Sequence, residues 1–242
     1  MEIKNIKKEF PIFKQKINGK PLIYLDSANS SQKPKVVIDK ISNFYETEFS
    51  NVGRSVHTLA VKATNRFEAV RDKVKQYINA KHREEIIFTK GATEGINLVA
   101  SSFGKKYINK GDEILVTELE HHSNYVPWHY LRSEKGAVIK FAQVNSDGDV
   151  EIDEIKKQIT NKTKIIAITH ISNVTGAVLP ITKIVDLAKE RNIPVLIDGT
   201  QGAPHSHIDM QKIGCDFYAI SCHKMYGPNG LGILYMKKKW VD

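Results

Sequence analysis

A lysine and an aspartate each follow a short apolar run in the last quarter of the sequence. The run Phe217 to Ile220 leads through Ser221-Cys222-His223 to Lys224, and a Gly-Pro pair at 227 and 228 turns the chain just beyond. Upstream, Pro194 to Ile197 ends in Asp198. A lysine that forms a Schiff base and an acid that keeps a pyridine nitrogen protonated are the two groups that pyridoxal phosphate chemistry needs. The pair therefore predicts a pyridoxal phosphate site.

Lys224 alone is a weak signal, because lysine and arginine together number 36 and most of them must be solvated. Asp198 strengthens the prediction, since an acid that follows four apolar residues must be paired if it is buried. Open α/β sheets also place their ligands at the ends of strands.

A third segment offers an anion site. Gly91-Ala92-Thr93 follows the apolar run Glu85 to Thr89 and opens a helix. The first amides of a helix lack partners within it and favour an anion, so a phosphate could bind there with the Thr93 hydroxyl. Ser221 and His223 could donate to the same phosphate. The plain alternative is that Thr93 only caps the helix.

Further polar residues follow other predicted strands. His121 and His122 come after Leu119-Glu120. We expect one of the two rings to lie on a cofactor ring or move a proton, and the other to face outward. No third residue has the spacing of a metal ligand, so no metal is expected. Asn173 could bond a cofactor or a substrate carboxylate, and Arg54 could reach an anionic substrate, although turn and loop roles explain both as well.

Composition restricts the class of protein. The chain has 242 residues, 41% hydrophobic and 26% charged, as in a soluble globular protein with one large domain. The net charge of +9 is dispersed, so nucleic acid is not an expected partner. No window reaches the roughly 20 apolar residues of a membrane span, and no secretory signal opens the chain. Two cysteines, Cys215 and Cys222, fit a reducing cytoplasm.

Helical and extended patterns alternate along the chain. Phe67, Val70, Val74, Tyr77 and Ile78 share one face of a helix predicted from Asn65. Several aliphatic runs do not alternate with polar residues, which indicates strands buried on both faces. Such strands are typical of a mainly parallel sheet. Gly232 to Tyr235 is predicted as a hairpin or a returning antiparallel strand. The other expected strands are 85–89, 114–117, 138–142, 165–169, 195–197 and 217–220, and the other helices run from 91 toward 103, from 152 to 159 and from 181 to 190.

These segments, in this order, resemble the cysteine desulfurases of the SufS and CsdA type, which are class V, fold type I pyridoxal phosphate enzymes. The double histidine followed by Asn124, Val126, Pro127 and Trp128 is the most particular match. The other matching segments are 24–28, 54–59, 91–97, 169–173, 198–201 and 221–228. The resemblance implies an α/β fold: an N-terminal arm at 1–20, then a pyridoxal phosphate-binding large domain at 21–242 with a mainly parallel seven-stranded sheet flanked by helices.

The resemblance also implies roles. Lys224 is expected to be the Schiff-base lysine, Asp198 the pyridinium partner, Gln201 a donor to the phenolic oxygen, and His121 the stacked, catalytic ring. Phosphate is expected at Thr93, Ser221 and His223, and the substrate at Ala28, Arg54 and Asn173. The expected reaction converts L-cysteine to L-alanine and transfers sulfur as a persulfide for iron–sulfur cluster assembly. A homodimer and a sulfur-acceptor protein of the SufE type are the expected partners.

The departures from the family shape the rest of the hypothesis. The family's acceptor cysteine, its substrate-carboxylate arginine and its small C-terminal domain all lie beyond Asp242, so we expect an incomplete chain that is inactive alone. Cys222, where glycine is usual, is expected to be a small buried thiol rather than a group facing the cofactor. A selenocysteine lyase, another class V lyase or aminotransferase, and a non-catalytic remnant or scaffold are the alternatives.

Overall fold

The computed structural model describes residues 3–241, with side chains from residue 5 onward. Within the predicted N-terminal arm, Met1 and Glu2 lie outside the described residues. The rest of this segment contains helix α1 (Ile3–Lys8) and an antiparallel pair of short strands, β1 (Lys16–Ile17) and β2 (Lys20–Pro21). Helix α2 (Lys35–Asn43) and helix α3 (Thr58–Tyr77) follow.

Helix α3 begins earlier than its apolar pattern predicts. The side chain of His57 caps it by accepting a hydrogen bond from the Ala60 amide at 3.3 Å. The buried residues of its first half are Ala60 and Ala63, which are too small to mark an amphipathic face. Val70 and Tyr77, predicted to be buried, are exposed, because the contact with the core is made by Val74 and by Ile78 just past the helix.

The remaining strands were all predicted, as were the helices near 91–103, 152–159 and 181–190, whereas the helix at 122–135 and the short helices at 105–107, 202–205 and 210–213 were not. The strands are β3 (Ile86–Thr89), β4 (Glu113–Thr117), β5 (Val138–Ala142), β6 (Thr163–Thr169), β7 (Val195–Asp198), β8 (Phe217–Ser221) and β9 (Gly232–Met236). The helices are α4 (Ala92–Val99), α5 (Lys105–Tyr107), α6 (His122–Lys135), α7 (Ile152–Gln158), α8 (Ile181–Lys189), α9 (Gly202–His205) and α10 (Met210–Ile213).

Strands β3 to β9 form one seven-stranded sheet in the order β3-β9-β8-β7-β6-β4-β5. The five strands from β8 to β5 are parallel, and β9 runs antiparallel to both of its neighbours. The mainly parallel sheet is therefore confirmed. Of the two possibilities for residues 232–235, β9 is a returning antiparallel strand that pairs with β8 and inserts beside β3.

Both faces of the sheet are buried, which explains why the aliphatic runs do not alternate with polar residues. Leu115, Ile166 and Ile197 pack on the face covered by α7 and α8, whereas Ile114, Ala167 and Leu196 pack on the face covered by α4 and α6. Neighbouring residues of one strand thus enter opposite cores. The two layers hold the carboxyl ends of the parallel strands along one edge of the sheet.

Gly232 lets the start of β9 touch the turn before α4. A Cβ atom added at Gly232 would overlap the backbone of Gly91, so only glycine fits without moving that turn. Gly95, one turn into α4, packs against Leu234: a Cβ atom added at Gly95 would lie 3.4 Å from the Cβ of Leu234. This close approach fixes where the N-terminus of α4 lies relative to β8 and β9.

Gly232→Ala is expected to lower the free energy of unfolding by about 3 kcal/mol, at the upper end for overpacking, because the obstacle is backbone. Gly230→Ala is the matched control in the same turn. Its virtual Cβ meets open space, and only its φ of +73° is unfavourable for alanine, which costs about 1 kcal/mol. Urea unfolding of both variants measures the difference, and equal losses would contradict the proposed overlap.

Candidate active site

A cavity lies at the carboxyl edge of the sheet, where the residues that follow β3, β4, β6, β7 and β8 converge with one residue of the N-terminal region. Its wall contains Asn29, Ala92, Thr93, His121, Ser123, Thr169, Ile171, Asn173, Asp198, Thr200, Gln201, Ser221, His223 and Lys224. The structure thus brings together the lysine, the aspartate and all the residues that the sequence assigns to a cofactor. Among the described residues that form this wall, neither Ala28 nor Arg54 is found.

Lys224 lies in a single 3₁₀ turn (Cys222–Lys224) that follows β8. Burial lowers the pKa of Lys224, and the negative charge of Asp198 partly opposes that shift. A lysine with a lowered pKa supplies more of the neutral amine, which is the nucleophilic form. The turn thus presents a lysine suited to covalent chemistry.

The lysine turn is braced from the N-terminal part of the chain. The carbonyl of His223 accepts hydrogen bonds from the amide of Ser31 at 3.0 Å, from its hydroxyl at 2.9 Å and from the Nζ of Lys33 at 2.8 Å. The Ser31 hydroxyl also accepts from the amide of Tyr226, whose φ of +64° is unusual for a bulky residue. These contacts hold a strained turn next to Lys224.

Asp198 is the last residue of β7 and is only 4% exposed. Its Oδ1 accepts a hydrogen bond from the amide of Thr200 at 2.9 Å. Next to it, a Cβ on Gly199 would overlap the ring of Tyr218, so glycine allows the chain to turn over that ring. The carboxylate is therefore held at the cavity by its own turn.

A buried histidine–tyrosine pair packs beneath this turn. Nδ1 of His170 lies 2.8 Å from the hydroxyl of Tyr218. Burial raises the pKa of Tyr218, so its phenol stays protonated. Burial also lowers the pKa of His170 to about 4. A neutral imidazole and a neutral phenol therefore share this hydrogen bond at neutral pH.

The N-terminus of α4 contributes Ala92 and Thr93 to the wall of the cavity. The amide of Ala92 donates to Ser221 Oγ at 2.9 Å, and Thr93 Oγ1 lies 2.8 Å from Ser123 Oγ. Burial lowers the pKa of His223, and the charges of Lys224 and Lys33 lower it further. Hydroxyls, a neutral imidazole and helix amides together are suited to an anion such as a phosphate.

His121 caps α6 from the cavity side. Its Nδ1 accepts a hydrogen bond from the amide of Ser123 at 3.1 Å, so in the neutral ring the proton is on Nε2. Ser123 in turn contacts Thr93, which links the ring to the start of α4. His121 lines the cavity, and His122 is exposed beside it, outside the lining given above.

The other assigned residues differ in their surroundings. Gln201 donates its Nε2 to the carbonyl of Ala28 at 2.6 Å, so one amide hydrogen is already engaged and one is left for a ligand. Ala28 thus positions Gln201 from outside the wall. Asn173 lines the cavity after β6, and Arg54 lies in an exposed loop.

Both cysteines are buried. Burial raises the pKa of Cys222 to about 11 and raises the pKa of Cys215 further. The prediction of a small buried thiol at 222 is confirmed. Neither side chain is in the thiolate form that sulfur chemistry needs.

Several wall residues were not predicted from the sequence: Asn29, Ser123, Thr169 and Thr200. Thr169, Ser123 and Thr200 end or follow strands, so the rule that identified Asp198 could have found them. Asn29 and its neighbour Ser31 have no such signal. In residues 3–241 no group of three His, Cys, Asp or Glu side chains is arranged to hold a metal ion. No helix in that range has the length and apolar character needed to cross a membrane.

Because burial lowers the pKa of His170, the stability of the folded chain is expected to depend on pH. Because the folded state holds the imidazole neutral down to about pH 4, the unfolded state binds more protons below about pH 6.5. The contribution of His170 to the free energy of unfolding should therefore fall as the pH drops from about 6.5 to 4, by at most about 1.4 kcal/mol per pH unit. His170→Gln should remove this slope, measured by urea unfolding at several pH values. His205→Gln, at an exposed position, should keep it, and equal slopes in both variants would contradict the assignment.

The sequence and the fold match known proteins. A family model described as aminotransferase class-V matches residues 23–242. A probable cysteine desulfurase of Halalkalibacterium halodurans is 48% identical over 242 residues, covering 100% of this chain and 60% of that protein. A cysteine desulfurase of Synechococcus elongatus is 42% identical over 241 residues, covering 100% of this chain and 38% of that protein.

Solved structures give the same result. The cysteine desulfurase CsdA (S-sulfonic acid) from Escherichia coli matches with a TM-score of 0.87 at 36% identity, covering 99% of this chain and 59% of that one. The apo cysteine desulfurase from Thermococcus onnurineus matches with a TM-score of 0.91 at 32% identity, covering 99% and 58%. The chain thus spans at most 60% of the length of these relatives. It belongs to the class V aminotransferase family and is homologous to cysteine desulfurases of the SufS and CsdA type.

Proposed function

We propose that this chain binds pyridoxal 5'-phosphate in the cavity through Lys224 and forms the cofactor-binding part of a cysteine desulfurase. The observation that carries the proposal is the placement of a lysine with a lowered pKa and a buried aspartate at one cavity, opposite the N-terminus of a helix. Class V aminotransferases and cysteine desulfurases are pyridoxal phosphate enzymes.

The wall has a complementary group for each part of this cofactor. Thr93, Ser221 and His223 would hold the phosphate at the N-terminus of α4, where the helix dipole favours negative charge. Asp198 would pair with the pyridine nitrogen, and the remaining amide hydrogen of Gln201 would bond the phenolic oxygen. His121 would lie over the ring, and Asn173 would contact the ring or the substrate carboxylate.

The bound cofactor supplies an electron sink for the substrate's Cα carbanion. Lys224 would be the base that takes the α proton of the substrate, since its lowered pKa favours the free amine. The carboxylate of Asp198 would hold a proton on the ring nitrogen by charge attraction. His121, with its proton on Nε2, would be available for a proton transfer at the substrate carbon that becomes the methyl group of alanine.

For the whole protein we propose L-cysteine as substrate, L-alanine as product and sulfur transferred as a persulfide that feeds iron–sulfur cluster assembly. Arg54 and Ala28 belong to the proposed substrate side. A homodimer, a sulfur-acceptor protein of the SufE type and a cytoplasmic location complete the proposal. The persulfide would form on a thiol other than Cys215 and Cys222, since both are buried and protonated.

Added pyridoxal phosphate is expected to give this chain a visible absorption band that borohydride abolishes, with the label then fixed on Lys224. Lys224→Ala should lose the band and the covalent label. Lys90→Ala removes an exposed lysine next to the α4 turn and should keep both. Absorption spectra and peptide mass spectrometry measure these outcomes. A folded wild-type chain that shows no band would refute the proposed cofactor.

The two thiols are expected to react slowly with Ellman's reagent in the folded chain. A pKa raised from 9.0 to about 11 lowers the thiolate fraction of Cys222 about 100-fold, and burial slows access further. Unfolding in guanidinium should expose both at once. With L-cysteine and pyridoxal phosphate, mass spectrometry should find no added sulfur on either residue, and a persulfide on Cys222 would contradict this part of the proposal.

A further inference from the structure

Glu120 occupies a position that the proposed chemistry does not use. It precedes His121 in the turn between β4 and α6, and its carboxyl group accepts hydrogen bonds from three elements. The hydroxyl of Thr117 in β4 donates to Oε1 at 2.6 Å, the amide of Thr169 at the end of β6 donates to Oε1 at 2.9 Å, and Nδ2 of Asn124 in α6 donates to Oε2 at 2.6 Å.

Two of these donors, Thr169 and Asn124, line the candidate active site or lie next to a residue that does. Thr169 lines the cavity itself. Asn124 lies two residues beyond the start of α6, and its amide donates to the carbonyl of His121 at 2.8 Å. The carboxyl of Glu120 thus joins the strand end that carries Thr169 to the helix start that carries His121.

The same contacts involve the motif Asn124 to Trp128, which has no role in the proposed function. Asn124 is fully buried, and its Oδ1 has no hydrogen-bond partner among the described residues. Its only side-chain contact of this kind in the described chain is therefore the one from Nδ2 to Glu120. An Asn amide can be turned over, which would present Oδ1 to Glu120 instead.

We propose that Glu120 is a positioning residue that fixes His121 over the cavity, by tying the β4–α6 turn to the end of β6 through Thr117, Asn124 and Thr169. The inference rests on the proposed function, because the ring that Glu120 orients is the one assigned to the cofactor. Glu120 itself does not line the cavity described above. It borders a second, more open depression with Thr117, Glu118, Tyr125 and Phe141.

The charge state of Glu120 agrees with this role. Burial raises its pKa to about 8, the three hydrogen bonds oppose the shift, and the charge of Asp198 adds to it. Glu118 and Tyr125 are the other titratable groups at the second depression. At neutral pH the carboxyl is mostly protonated, and the unpartnered Oδ1 of Asn124 offers an acceptor for its hydrogen once the amide turns over. The hydrogen bonds of Glu120 with Thr117, Asn124 and Thr169 can therefore form while the Glu120 carboxyl is neutral.

Three variants test the inference. Glu120→Ala removes the three hydrogen bonds to Thr117, Asn124 and Thr169. Glu120→Gln preserves its shape, because the new amide can accept from Thr117 and Thr169 and donate to a turned Asn124. Glu118→Gln is the matched control, since Glu118 borders the same depression but its carboxylate accepts from the amide of Val144, away from His121. If Glu120→Ala does not fold, Thr117→Val removes one of the three donors and takes its place.

The first measurement needs no cofactor. Hydrogen exchange of the Ser123 and Asn124 amides, which bond to His121, should accelerate at least about tenfold in Glu120→Ala, because the turn loses its buried hydrogen bonds. Glu120→Gln and Glu118→Gln should exchange as the wild type does. Unchanged exchange in Glu120→Ala, or in Thr117→Val if that variant replaces it, would overturn the inference.

The second measurement uses the chain loaded with pyridoxal phosphate. The induced circular dichroism of the cofactor band, which reports the fixed orientation of the ring, should weaken in Glu120→Ala and recover in Glu120→Gln. The affinity for pyridoxal phosphate should fall about tenfold in Glu120→Ala alone. A full signal in Glu120→Ala would count against the inference. A wild-type chain with no cofactor band at all would refute the proposed function, and the exchange result would still decide the role of Glu120.

Discussion

The attraction between Asp198 and Lys224 is the interaction on which the candidate active site depends. Asp198 is buried at the end of β7, and the half-buried Lys224 lies in the turn that follows the neighbouring strand β8. A buried carboxylate without a positive partner is costly, so the site needs an amine or a protonated ring nitrogen near Asp198. The same burial that makes the aspartate costly lowers the pKa of the lysine. Burial therefore favours the neutral amine of Lys224, while the negative charge of Asp198 favours the protonated amine.

The sheet creates that environment. Five parallel strands end at one edge, and apolar layers on both faces keep water from the strands themselves. The polar side chains that follow the strands are the ones left at the surface of this core. Hydrogen bonds then hold these polar side chains and their turns in place. Two are local: the Thr200 amide donates to Asp198, and the Ser123 amide donates to His121. Ser31 and Lys33 donate to the carbonyl of His223 from a distant part of the chain.

Much of the fold could be predicted, because a strand that is buried on both faces is a run of apolar residues that does not alternate with polar ones. Strands β7 and β8, whose residues are all buried, lie where their aliphatic runs place them, and each extends one residue beyond its run. The start of α3 was missed because Ala60 and Ala63 carry no periodic signal. Residues after strands, such as Lys224 and Asp198, were found by their position relative to those runs. The brace from Ser31 to His223 was not, since it joins residues 192 positions apart and no local pattern records such a contact. Glu120 was overlooked for a related reason: its three partners come from three different elements.

The returning strand β9 has a consequence for the order of folding. Strand β3 pairs only with β9 within the described sheet, so Ile86 finds its partner Tyr235 near the opposite end of the chain. Contacts between such distant positions form slowly, because a long loop must close first. The N-terminus of α4 is seated by Gly232 of that same strand. A chain emerging from the ribosome can therefore build the central parallel strands early, but it seats the N-terminus of α4 at the cavity only once β9 has been made and has inserted beside β3.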